Sequence, residues 1–232
     1  DFFSLESNSE RYVVAHLFKF SDSLDLMDYS ISRALINVSR NYSYDGVENI
    51  ERDNCDYDMI YLLSKIADKL KVQFNLQYHI MKESNNPLSR KKGISDMVGA
   101  NIVSASSLFL NSYIAELFKK LGFPYIYRVN STVPDDTYNH GSSYSTMPFG
   151  HIVNNGNCYG HVTTPIRKFS SLLNQYFELS FLVDKSYDQD FIERWQCDLP
   201  NIVDELNLRL FTNSEYRDIL ETMYAKQLTR RK

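Results

Sequence analysis

Between Asp96 and Glu116 the chain carries no acidic, basic or histidine residue, the longest such run in its 232 residues. A run of this length is stable only if it is buried, and it is too long for a strand. Asn101, Asn111 and four serines within it make it too polar for a membrane span, so a buried helix preceded by a loop is expected. Its carboxyl half fits a helix that stops sharply. Leu110, Ile114, Leu117 and Leu121 form an apolar stripe, Lys119 and Lys120 lie in the last turn, Gly122 follows, and Pro124 stands beyond.

The rest of the chain arranges itself around that helix. Two β-rich runs, Arg11 to Phe20 and Tyr29 to Val38, are separated by a polar turn and read as an antiparallel pair. A helical turn is expected near Tyr44. A longer helix follows, with Ile60, Leu63, Ile66, Leu70 and Phe74 on one face behind Asp56 and Asp58 as candidate caps. Residues 82–93 read as a loop and Tyr125 to Asn130 as a short strand. From Pro165 the chain reads as helices: one with Phe169, Leu172, Leu173 and Tyr176 on one face, one beginning near Pro200 and one near Ser214. The expected fold class is α/β, a mixed sheet with packed helices and a helical carboxyl third. The chain is 43% hydrophobic and 14% aromatic, enough for a substantial core.

A formal charge of -4 gives no overall pull toward nucleic acid or anionic membrane, so any anion-binding surface must be local. The basic clusters are Arg90-Lys91-Lys92, Arg167-Lys168 and Arg230-Arg231-Lys232. Cys55, Cys158 and Cys197 are odd in number and lack C-x-x-C spacing, which points to a reducing, intracellular compartment. No signal peptide is read at the amino end and no membrane association is expected.

The most punctuated stretch is YSTMPFGHIVNNGNCYGHVTTPIRKF, Tyr144 to Phe169. With Thr164 as an N-cap, Pro165 falls at the first helical position and Arg167 in the first turn. A cation there opposes the helix dipole, whereas free backbone N–H groups and a guanidinium together favour a phosphate. The alternatives are an Arg167 paired with a carboxylate or simply exposed. His151, Cys158 and His161 lack a fourth ligand at a zinc-like spacing, so no metal site is expected from them.

The same stretch resembles the ribonuclease II (RNB) family of hydrolytic 3′-to-5′ exoribonucleases. The resemblance lies in Tyr144-Ser145, Gly150-His151, Tyr159, His161 and Thr163-Thr164-Pro165-Ile166-Arg167-Lys168-Phe169, which keep the family's register without a gap. Asn111, Ala115, Pro124, Tyr127, Arg128 and Val129 also match its motifs, with Asn130 in a histidine's place. Phe2 to His16 matches more weakly. The resemblance implies that residues 1–232 are the carboxyl-terminal portion of an RNB-like domain without the family's trailing S1 domain. It implies single-stranded RNA as partner and Arg167 as the catalytic residue that meets the phosphate. Arg167, Tyr159, His161, Thr163, Thr164 and Lys168 are the implied RNA-binding set.

Departures from the family pattern accompany these matches. The family holds Mg²⁺ with an aspartate cluster upstream of the position of Asp1, so Mg²⁺ is expected only if a missing upstream segment or a partner chain supplies that cluster. The place of the family's glutamate is Ala105, that of a usual aspartate is Ser171, and a usual Gly-Leu pair is Val153-Asn154. The expectation is a diverged, catalytically impaired RNB portion that binds RNA or joins an RNA-processing assembly. The alternative is one part of an active exoribonuclease.

Overall fold

The computed structural model describes residues 4–73, 97–130, 142–151 and 157–229, with side chains described except at 73, 211 and 213–229. The first two strands, β1 (Glu10–Phe20) and β2 (Leu26–Asn37), pair antiparallel as the sequence led one to expect, with Phe18 opposite Tyr29. Alternation along β1 turns His16, Phe18 and Phe20 to one face. Phe18 meets Phe109 at 4.8 Å and Tyr113 at 5.2 Å between ring centroids, so this face is seated on the long central helix. A short α1 (Tyr44–Glu48) starts at Ser43, whose hydroxyl accepts from the Gly46 N–H. Next comes α2 (Tyr57–Gln73), which buries Ile60 and Leu70 but leaves Leu63 39% exposed, at the margin of the stripe read from sequence.

The uncharged run forms α3 (Val98–Leu121), ended by Gly122 in the left-handed region at φ 69°. Its buried face is carried by Ala105, Phe109, Asn111, Ile114, Ala115 and Phe118, whereas Leu121 is 45% exposed. The expected leucine stripe is thus rotated toward small and aromatic residues, which let the hairpin and the carboxyl half approach closely. Beyond it, β3 (Tyr127–Asn130) pairs antiparallel with β4 (Ser142–Ser145). Among the described residues the strands form these two antiparallel pairs.

The carboxyl part begins with α4 (Phe169–Phe177), which widens into a π-helix over Glu178–Val183. It continues in α5 (Gln189–Thr229), one helix of 41 residues. The boundaries read at Pro200 and Ser214 are therefore corrected. Proline lacks an N–H and disfavours a helix interior, but Leu199 and Val203 are buried and Trp195, Ile202 and Leu206 pack on the same core, so tertiary burial carries the helix through Pro200. The main core joins Ile114, Phe118, Tyr125, Phe177, Phe181 and Leu199. Phe74, the loop 82–93 and two basic clusters, Arg90-Lys91-Lys92 and Arg230-Arg231-Lys232, lie outside the described residues.

Candidate functional site

The site is built on an irregular arm, residues 157–164, whose backbone groups are bonded by side chains as well as by neighbouring backbone. A buried irregular segment must find partners for its N–H and C=O groups. Asn111 on α3 accepts from the Val162 N–H at 2.8 Å and donates to the Tyr159 hydroxyl at 3.1 Å and the Thr163 hydroxyl at 3.3 Å. Asn174 on α4 donates to the carbonyls of Ile126 and His161 at 2.9 and 3.1 Å and accepts from the Ile126 N–H at 2.9 Å. Gln175 donates to the Val162 carbonyl at 2.8 Å, and Glu116 accepts from the Cys158 N–H at 2.9 Å. Gly160 is required here: a Cβ would lie 2.4 Å from Tyr125 Cε1 and 2.9 Å from the Ile126 carbonyl oxygen.

Strand β3 joins this arm through the Arg128 N–H, which donates to the Tyr159 carbonyl at 2.7 Å. Tyr127 and Val129 point into the core, so alternation places Arg128 on the other face. There it faces its cross-strand partner Tyr144, with the guanidinium carbon 4.5 Å from the ring centroid. Asn207 of α5 fixes Tyr144 from behind, accepting from its N–H at 2.7 Å and donating to its carbonyl at 3.0 Å.

On the arm side, Lys168 Nζ donates to His161 Nε2 at 3.2 Å, which places the imidazole proton on Nδ1. That buried Nδ1 and the buried Arg128 Nη1 have no hydrogen-bond partner among the described residues. Burial, then Lys168, Arg128, His151 and Arg167, push His161 down to about 3. Burial and then Arg128 and Arg167 lower Lys168, and burial lowers Arg128. Among the described residues no carboxylate is one of the charges that act on these three groups. A cluster of cations with unpaired buried donors and no acidic neighbour among the described residues has the chemistry that favours an anion.

The sequence-derived residues divide into two groups. Arg167 is exposed, Lys168 is half-buried against His161, and these three stand together with Arg128. Tyr159 is buried at 6% exposure and Thr163 bonds Asn111, so both hold the arm. Thr164 shares a hydrogen bond with Ser171 at 3.2 Å. The expected Thr164 N-cap is corrected, because Pro165 to Arg167 form a separate turn and the cap of α4 is Lys168, extended at φ -129°. The Arg167 and Lys168 N–H groups donate to the Thr164 carbonyl at 3.3 and 3.1 Å, so they are not free for a phosphate.

Arg128 was legible as a strand residue that matches a family motif, and was not placed in the site. Its signal was a cation at an alternating position of a short apolar strand. Asn174 left a fainter one, an amide on the same helix face as Phe177. Among the described residues no three His, Cys, Asp or Glu side chains converge to hold a metal ion, and Ala105, in the place of the family's glutamate, is wholly buried in the core. The described residues therefore offer no ligand set that fits Mg²⁺. Nor does any described helix have the length and apolarity to cross a membrane.

A sequence model of the RNB domain matches residues 1–141. Among solved structures, Mycoplasma genitalium RNase R in complex with ribose-methylated single-stranded RNA superposes with a TM-score of 0.71 at 17% identity, covering 97% of this chain and 46% of that one. The same enzyme in complex with double-stranded RNA gives 0.67 at 17% identity over 90% and 49%. Yeast Ssd1, a pseudonuclease, gives 0.61 at 14% identity over 83% and 32%. At these identities the likeness is one of fold, and the chain spans less than half the length of RNase R. No curated protein sequence matches it.

Proposed function

Because the chain belongs to the RNB domain family, we propose that it is a diverged RNB portion that binds single-stranded RNA through the cluster of Arg128, His161, Lys168 and Arg167. The observation that carries this reading is the pair of buried nitrogens, Arg128 Nη1 and His161 Nδ1, which among the described residues have neither a hydrogen-bond partner nor a carboxylate acting on them. Phosphate oxygens supply acceptors and negative charge together. Support also comes from the RNase R neighbours, which are complexes with single-stranded and double-stranded RNA. Tyr144, held over Arg128, supplies an aromatic face beside the cation, a combination suited to unpaired bases.

Hydrolysis is proposed to be impaired, since Ala105 presents a buried methyl group where the family has a carboxylate. A covering segment, upstream or on a partner chain, is part of the same proposal, because the hairpin exposes Tyr12 at 88%, Met27 at 66% and Leu35 at 53%. The test of RNA binding is a titration of labelled single-stranded oligoribonucleotide across salt concentrations. Arg167→Ala should flatten the dependence of log affinity on log salt by roughly 0.7, the share of one phosphate contact. Unchanged slope and affinity in a folded Arg167→Ala protein would remove that residue from the site.

A further inference from the structure

Helix α4 is inverted with respect to solvent. The sequence puts Phe169, Leu172, Leu173 and Tyr176 on one face, but of these four only Leu173 is buried, and the residues turned inward beside it and Phe177 are Ser170, Ser171 and Asn174. Two of the inward polar residues hold the arm: Ser171 shares a hydrogen bond with Thr164, and Asn174 clamps Ile126 and the His161 carbonyl. Outward the helix shows Phe169 at 55%, Leu172 at 52% and Tyr176 at 44% exposure. At 3.6 residues per turn these three fall within about 60° of arc and span about 10 Å of axis. A helix face left to water normally carries polar side chains, so an apolar one marks a contact surface.

The stripe begins at the residue after Lys168, which is at once the N-cap of α4 and the donor to His161, and Arg167 and the exposed Ile166 stand in the turn before it. A molecule lying on Phe169 therefore meets the cations. At the other end the Tyr176 ring is braced by Phe177, Phe191 and Trp195 at 5.9, 6.3 and 5.9 Å between centroids, which makes it a fixed flat surface. No aspartate or glutamate stands in the sequence between Asp136 and Glu178, so α4 and the turn before it carry no acid to repel a polyanion. Rings that follow directly on cations suit unpaired bases joined by phosphates, whereas a protein cover would have to bring its own carboxylates to the same cations. We propose, on the RNA-binding reading, that the outward face of α4 is the platform for the bases of the bound strand. Phe169 and Tyr176 stack bases, Leu172 packs between them, and Arg167 and Lys168 hold phosphates where the platform starts.

Affinity for a labelled single-stranded oligoribonucleotide is measured across salt concentrations, beside an abasic strand of the same length. The proteins are the wild-type chain, Phe169→Ala, Tyr176→Ala and the ring-keeping Phe169→Tyr and Tyr176→Phe. Each alanine variant should lose at least about fivefold in affinity for the oligoribonucleotide, the lower bound for one stacked base. Its salt slope should not change, because no charge is removed. Neither alanine variant should lose affinity for the abasic strand, and the ring-keeping variants should bind as the wild type does. Equal affinity of the wild type and both alanine variants, in a chain that binds RNA and responds to Arg167→Ala, overturns the platform and leaves the phosphate site standing. Equal losses on both strands, or losses in the ring-keeping variants, also overturn it, since the two residues would then act through the fold. Alanine variants that bind RNA as before but self-associate less in sedimentation show the stripe to be a contact between copies, which overturns it too. A wild-type chain that binds no RNA removes the RNA-binding reading and the platform with it.

Discussion

Replacing Arg128 with methionine should raise stability and lower RNA affinity together. The guanidinium is half-buried, its Nη1 has no acceptor among the described residues, and its nearest favourable contact is the Tyr144 face at 4.5 Å. An unsatisfied buried donor costs about 1 to 3 kcal/mol, while the cation–π contact returns about 0.5 to 2 kcal/mol. Methionine fills most of the same volume with a flexible apolar stem. The free chain should therefore gain about 1 kcal/mol, or roughly 2 to 4 °C in Tm for a domain of this size. Binding loses a charge-assisted contact worth about 1.5 to 3 kcal/mol, which is roughly 10- to 150-fold in Kd. Thermal denaturation without RNA and fluorescence anisotropy with a labelled single strand measure the two halves. A variant that is less stable and binds as tightly as the wild type would refute the reasoning, because Arg128 would then be a paired structural cation.

Gly160→Ala should destabilise by about 1 to 3 kcal/mol, the range for overpacking a core, because the new methyl meets Tyr125 at 2.4 Å and the Ile126 carbonyl at 2.9 Å; a denaturant midpoint equal to wild type would contradict this. The pH dependence of stability should show two opposed contributions. Glu178, raised by burial to about 8 from 4.5, stabilises below its unfolded value and loses that contribution as pH rises through about 8. His16, lowered by burial to about 4 from 6.5, contributes above its unfolded value and loses it as pH falls. The two slopes cancel between 4.5 and 6.5, and above 6.5 stability should fall toward about 8. The decline is about 2 kcal/mol at about 1.4 kcal/mol per pH unit. Urea unfolding across that range measures it, and Glu178→Gln should remove the alkaline decline. Finally, 3′-labelled single-stranded RNA incubated with the chain and Mg²⁺ or Mn²⁺ should not shorten, given Ala105 at the glutamate's place; a chelator-sensitive ladder that survives repurification would restore the hydrolytic reading.

Local chemistry made the hairpin and the central helix legible. β-rich composition on either side of a polar turn marked β1 and β2, and the uncharged run with Gly122 and Pro124 marked α3 and its end. Pro200 misled because a proline is a local statement, whereas Leu199 and Val203 are held by distant partners in the core. Thr164-Pro165 misled in the opposite sense: the helix-start chemistry is present, but an extended Lys168 divides it from α4 and leaves only a turn. At the site, the Arg167-Lys168 pair and His161 could be read from the family register. Arg128 matched a family motif and Asn174 did not, but the place of either in the site could not be read, since it depends on which strand face is covered and on which carbonyls the arm brings to α4. Glu178 was silent, because nothing in the letters around an acid shows that its solvent has been removed.

The most direct test of the RNA-binding account is NMR detection of the side-chain N–H groups of Arg128 and His161 during titration with a short single-stranded oligoribonucleotide. The arginine Hη and histidine Hδ1 protons should shift and become protected from exchange as the strand binds, while Arg194 and Arg209, exposed on α5, stay unchanged. Saturable RNA binding that leaves the Arg128 and His161 resonances where they were, or that moves only the arginines of α5, would contradict it.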